Sequence, residues 1–73
     1  MTEYNLTVII PKDEDGNFLA ICPALQGCYT DGETLEEALG MIKDAIKLHI
    51  EYRLENGESI PIEIYSSQLK IEV

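Results

Sequence analysis

Three carboxylates in five residues, Asp13-Glu14-Asp15-Gly16-Asn17, are the densest gathering of chemistry-bearing groups in this sequence. Such a run could hold a calcium ion, but its spacing fails. With Gly16 at position 6 of a calcium loop, Pro11 stands at position 1 and Cys22 at position 12, where carboxylates are required. A solvated hairpin tip fits better, and a partner protein could still read the three acids as a charge patch. Cys22 and Cys28 are separated by five residues, a spacing that matches no common zinc knuckle, and His49 is the single histidine. Two buried thiols fit a reducing compartment. Nucleophile chemistry finds no support either. Ser59, Ser66 and Ser67 lie in connector sequence outside any Gly-x-Ser-x-Gly elbow, and no glycine-rich phosphate loop exists. Neither a metal site nor a cofactor is expected.

The elements that position these groups follow from periodicity. Residues 3–10 place Tyr4, Leu6, Val8 and Ile10 on one face of a strand that Pro11 ends. The acidic run then supplies turn chemistry, because Asp-Gly takes up the positive φ of a tight hairpin. Phe18 to Cys22 is apolar on both faces and reads as a buried strand, antiparallel to the first. Pro23 to Gly27 turns the chain into a short third strand, residues 28–31, closed by Gly32.

Thr34-Leu35-Glu36-Glu37 is a capping box, in which the Thr34 hydroxyl accepts the Glu37 amide and the Glu37 carboxylate reaches back. The helix it opens runs to about Asn56, with Gly57 at the left-handed position beyond its end. Leu35, Ala38, Leu39, Ile42, Ala45, Ile46, His49 and Ile50 form one stripe, expected to face the sheet. Met41, Leu48 and Tyr52 form a second strip that one small sheet cannot also cover, which points to self-association. After Pro61, residues 62–65 alternate briefly, and Leu69-Lys70-Ile71-Glu72-Val73 alternates cleanly as a last strand. The expected fold is α+β, a small antiparallel sheet with one long helix in the order β-β-β-α-β.

Charge and size narrow the function. Fourteen Asp and Glu against five Lys and Arg give a net −9 over 73 residues. Nucleic-acid binders neutralise phosphates with clustered cations, and here Lys12, Lys43, Lys47, Arg53 and Lys70 are scattered. Direct nucleic-acid binding is disfavoured, as is an anionic membrane surface. A basic protein is the suited partner, since complementary fields accelerate encounter. No apolar run is long enough to span a membrane. The opening Met-Thr-Glu-Tyr-Asn has no leader pattern, so a cytoplasmic location is expected. One domain of this size buries only ~60% of its unfolded surface, which again favours a homodimer or higher oligomer.

The ordered blocks Lys12 to Ala20, Pro23-Ala24-Leu25-Gln26-Gly27-Cys28 and Gly32-Glu33-Thr34-Leu35-Glu36-Glu37-Ala38-Leu39 resemble the HicB-like antitoxin family. Ala45, Gly57 and Ile60-Pro61 continue the likeness, which covers about residues 4–62. The resemblance implies a β-β-β-α-β domain, a truncated relative of the ribonuclease H fold without its catalytic acids. It implies a partner too: HicA, a small basic toxin that cleaves mRNA. Many family members carry a C-terminal DNA-binding domain. The sequence stops at Val73, so operator binding is not expected.

The residues shared with the family look structural: Gly16, Gly27 and Gly32 for turns, Pro23 and Leu25 for the crossing between strands, Thr34 and Glu37 for the cap. Contact with a basic toxin is expected at Asp13, Glu14 and Asp15, and then at Asp31 and Glu33. Two alternatives stand beside the antitoxin. One is an orphan HicB-like protein-binding module, and the other a ribonuclease-H-like nuclease, which would need a carboxylate cluster to hold Mg²⁺ against a phosphate.

Overall fold

Pro11 decides how the first part of the chain pairs. In the computed structural model, which describes residues 2–73, Ile9 and Ile21 exchange both backbone hydrogen bonds at 2.8 Å. Two residues on, the Leu19 amide donates to the Pro11 carbonyl at 2.9 Å, but proline has no N–H to return. The Asp13 amide then donates to the Asn17 carbonyl at 2.8 Å. One antiparallel register runs through all these contacts, yet the missing donor breaks the ladder into isolated bridges, Ile9 with Ile21 and Lys12 with Phe18. The expected strand over residues 3–10 is therefore corrected to an extended segment bridged at its C-terminal end. Its faces are as the alternation requires: Leu6, Val8 and Ile10 lie against the core and Ile9 is exposed.

The regular sheet has two strands, β1 (Phe18–Ile21) and β2 (Tyr29–Gly32), antiparallel with Phe18 opposite Gly32 and Ile21 opposite Tyr29. Their connection is itself part of the core. The Leu25 amide donates to the Cys22 carbonyl and the Cys28 amide to the Leu25 carbonyl, both at 3.1 Å. Gly27 takes the positive φ of 79° that the turn requires. The folded loop drives Leu25 inward until it is 1% exposed.

Helix α1 (Leu35–Glu55) begins at Thr34, whose extended backbone and hydroxyl serve as the cap. The Glu37 amide donates to Thr34 Oγ1 at 3.1 Å. Only this half of the capping box forms, for the Glu37 carboxylate makes no return bond among the described residues. The helix ends at Asn56, and Gly57 follows with φ 72°. Ala38 and Ile42 pack with Ala20, Cys22, Leu25 and Cys28 as the buried core, flanked by Ala45, Ile46 and Ile50. Leu35 and Leu39 were expected in the covered stripe but remain about half exposed. The two-stranded sheet is too narrow to reach the stripe's edge.

Gly32 has a different task from the turn assigned to it. It is the last residue of β2, and a Cβ there would come within 2.8 Å of the Ala38 amide nitrogen. Its missing side chain lets the strand end press onto the first turns of α1.

The C-terminal strand expected at residues 69–73 does not form, nor does any strand beyond α1 among the described residues. The observed order is β-β-α, an α+β arrangement. Glu63 is the tether of this segment: the Thr7 amide donates to its carboxylate. The Thr7 hydroxyl and amide beside it hold the Glu63 carboxyl below its usual range. The radius of gyration is 13.8 Å, against ~11 Å for a compact chain of this length.

Candidate protein-binding surface

The acidic turn is built by its own first residue. Asp13 Oδ1 accepts the amides of Asp15 and Asn17, both at 2.9 Å, and the Asp13 carbonyl accepts the Gly16 amide at 3.1 Å. Gly16 completes the turn at φ 85°. Asp13 is thus spent on holding the turn, while Glu14 and Asp15 project into solvent. Lys12 leans back over the strand, its Nζ 5.5 Å from the centre of the Phe18 ring, and does not cover the acids.

The strand register brings the second acidic pair to the same end of the sheet. Extending the β1–β2 pairing beyond Phe18 and Gly32 puts Asn17, where the turn closes, opposite Glu33. A shallow depression of about 350 Å³ lies there, lined by Asn17, Asp31, Gly32, Glu33, Glu37 and Met41. Asp31 and Glu33, distant from the turn in sequence, thus join it in space. The sequence pattern assigns Glu37 to the cap alone and Met41 to self-association. The structure adds both to this patch, where Met41 supplies an apolar, adaptable contact beside the carboxylates. Their helical positions, one and two turns into α1, were the available signal.

Of the apolar strip, Met41 is 45%, Leu48 67% and Tyr52 64% exposed. It lies uncovered on the helix, as its spacing required. His49 is half-buried with Nδ1 enclosed and unpaired among the described residues, a packed imidazole at the edge of the covered stripe. Cys22 and Cys28 are buried and not joined in a disulfide, and burial pushes each thiol above its ordinary value of 9.0. Among the described residues, no three His, Cys, Asp or Glu side chains gather closely enough to hold a metal ion. Among the same residues, no helix is long and apolar enough to cross a membrane.

This acidic surface belongs to a recognisable class of chain. The model of the HicB-like antitoxins of bacterial toxin–antitoxin systems matches residues 6–71, and the protein belongs to that family. A UPF0150 protein of Thermoplasma acidophilum is 53% identical over 55 residues, covering 75% of this chain and 80% of the relative. A UPF0150 protein of Synechocystis is 43% identical over 60 residues, 82% of this chain and 76% of the relative. An uncharacterised 14.9 kDa protein of Haemophilus phage HP1 is 40% identical over 65 residues, 84% of this chain but 48% of the phage protein. No solved structure matches the chain.

Proposed function

We propose that this protein is an antitoxin that captures a small basic, mRNA-cleaving toxin of the HicA type and covers its active site. Family membership carries the antitoxin half of the reading. The observation that supports the partner's chemistry is the acidic turn Asp13-Glu14-Asp15 at one end of the sheet, with a depression beside it lined by Asn17, Asp31, Gly32, Glu33, Glu37 and Met41. A surface of this sign attracts a toxin that must itself be basic to hold RNA. The charges set the rate of encounter, and the apolar contacts at Met41 set the lifetime of the complex. The strip continuing through Leu48 and Tyr52 is the contact we assign to self-association.

Co-expression with an adjacent reading frame that encodes a small basic protein tests the function directly. The neighbour alone halts growth, and this protein restores growth and co-purifies with it. A toxic neighbour that is neither rescued nor bound refutes the reading. In the triple variant Asp13→Asn, Glu14→Gln, Asp15→Asn, the side-chain oxygen kept at position 13 still accepts the two turn amides, so the loop stays folded. Association should slow by about tenfold at low salt and lose much of its salt dependence, with a smaller change in dissociation.

A further inference from the structure

The two ends of the chain each present half of a strand pair. In the first segment, Ile9, Pro11 and Asp13 direct their backbone groups toward residues 17–21. By alternation Val8, Ile10 and Lys12 direct theirs outward, and these make no hydrogen bond among the described residues. At the other end, Leu69-Lys70-Ile71-Glu72-Val73 has the alternation of a strand and no partner strand. Leu69, Ile71 and Val73 are 79%, 72% and 123% exposed. Upstream of them, Ile62, Ile64 and Tyr65 are also almost bare.

The arm does not close on its own edge. A groove of about 760 Å³ lies between them, with Val8, Ile10 and Pro11 on one wall and Glu63, Tyr65 and Gln68 on the other. Glu63 pins the root of the arm at Thr7, and the polar Ser66-Ser67-Gln68 link joins it to the remaining five residues, which are all exposed.

We propose that Leu69–Val73 of one chain adds as a strand to the Val8–Lys12 edge of a second copy, with the exchange reciprocal about a two-fold axis. Charge selects the second copy as occupant. Two chains of net −9 repel unless they meet away from their carboxylates. The arm residues 69–73 carry one Lys and one Glu, and the receiving residues 8–12 carry only Lys12, so this contact escapes the repulsion. A basic partner gains nothing from such a surface and is drawn to the acidic end instead. Area agrees. Leu69, Ile71 and Val73 at roughly 100 Å² each offer on the order of 300 Å² per arm. Two arms and the edges that receive them come to about 1,200 Å², at the lower end of the ~1,200–2,000 Å² of a stable complex. Added strands also satisfy backbone groups on both partners, which gives register as well as attraction.

The proposal is independent of any toxin. Isotope-labelled and unlabelled full-length chains are mixed, and nuclear Overhauser effects are filtered for contacts between copies. The expected result is cross-chain contact between residues 69–73 and 8–12 in a species of twice 8.2 kDa. Ile71→Pro removes an amide from the arm, so these contacts should vanish and the mass should fall, with circular dichroism of α1 unchanged. Leu48→Asp, on the helix strip, should leave the cross-chain arm contacts in place. Contacts between 69–73 and 8–12 confined to one chain, no contact at all, or cross-chain contacts that survive Ile71→Pro would each overturn the exchange. So would their loss in Leu48→Asp alone.

Discussion

Leu25 and Ile64 are both large aliphatic residues outside regular structure, and they meet opposite fates: one is 1% exposed, the other 95%. Propensity does not separate them. Leu25 sits on a loop whose two ends are already held together by the β1–β2 ladder and whose own hydrogen bonds turn it inward. Ile64 follows Pro61 on an arm whose start is fixed at Thr7 by the single carboxylate of Glu63. Burial thus follows the backbone groups that neighbouring elements have already fixed. Hydrophobicity supplies the driving force only where the chain can be closed.

Truncating the buried partner should give the largest effect. Leu25→Ala is expected to cost about 2–5 kcal/mol in urea unfolding. Ile64→Ala, measured at a concentration where the chain is monomeric, should stay within about 0.5 kcal/mol. Similar costs at the two sites would dissolve the contrast.

The glycines sharpen it next. Gly32→Ala drives a methyl against the Ala38 backbone, so a loss of about 1–3 kcal/mol is expected, read as a lowered Tm. Gly40, inside α1 with nothing within 4 Å of its would-be Cβ, should respond in the opposite direction. Gly40→Ala is expected to stabilise by about 1 kcal/mol through helix propensity. Thr34→Ala removes the side-chain bond of the N-terminal helix cap and should cost about 1 kcal/mol, visible as fraying of the first turn in hydrogen exchange.

The smallest effect is pH-dependent. The Glu63 carboxyl has a lowered pKa in the folded chain, so its contribution is present above the ordinary carboxylate pKa and is lost as pH falls through the depressed value. The Thr7 amide resonance should shift with that acid titration, and Glu63→Gln should flatten it. Stability measured on the same samples should change only slightly, because the contact sits at an exposed edge.

Much of the body was legible in the sequence because its signals are local. The Asp-Gly turn, the Thr34 cap and the Gly57 stop each depend on residues within four positions of one another, and each is found. The strand expected at 69–73 does not form within one chain, and for a definite reason. Alternation reports which face a segment would bury, but it does not supply the neighbouring strand that must receive its hydrogen bonds. Pro11 misled in the other direction: it stops the ladder as a donor, yet its carbonyl still accepts Leu19 and carries the register on to Lys12. The acidic end was half legible. Its five carboxylates were named from charge alone, and only the register opposing Asn17 to Glu33 shows that Asp31 and Glu33 lie beside the turn, around a depression edged by Met41.

The buried core residues all fall between Ala20 and Ile42, a short central stretch of the chain. Interactions so close along the chain need little loop closure, and the folding time should be set by meeting the first half of the helix with the hairpin before it. During synthesis the centre of the molecule can close while the later part of α1 and everything after Gly57 are still unmade. Residues 62–73 then emerge onto a body already formed, and the search left to them is for a surface to join.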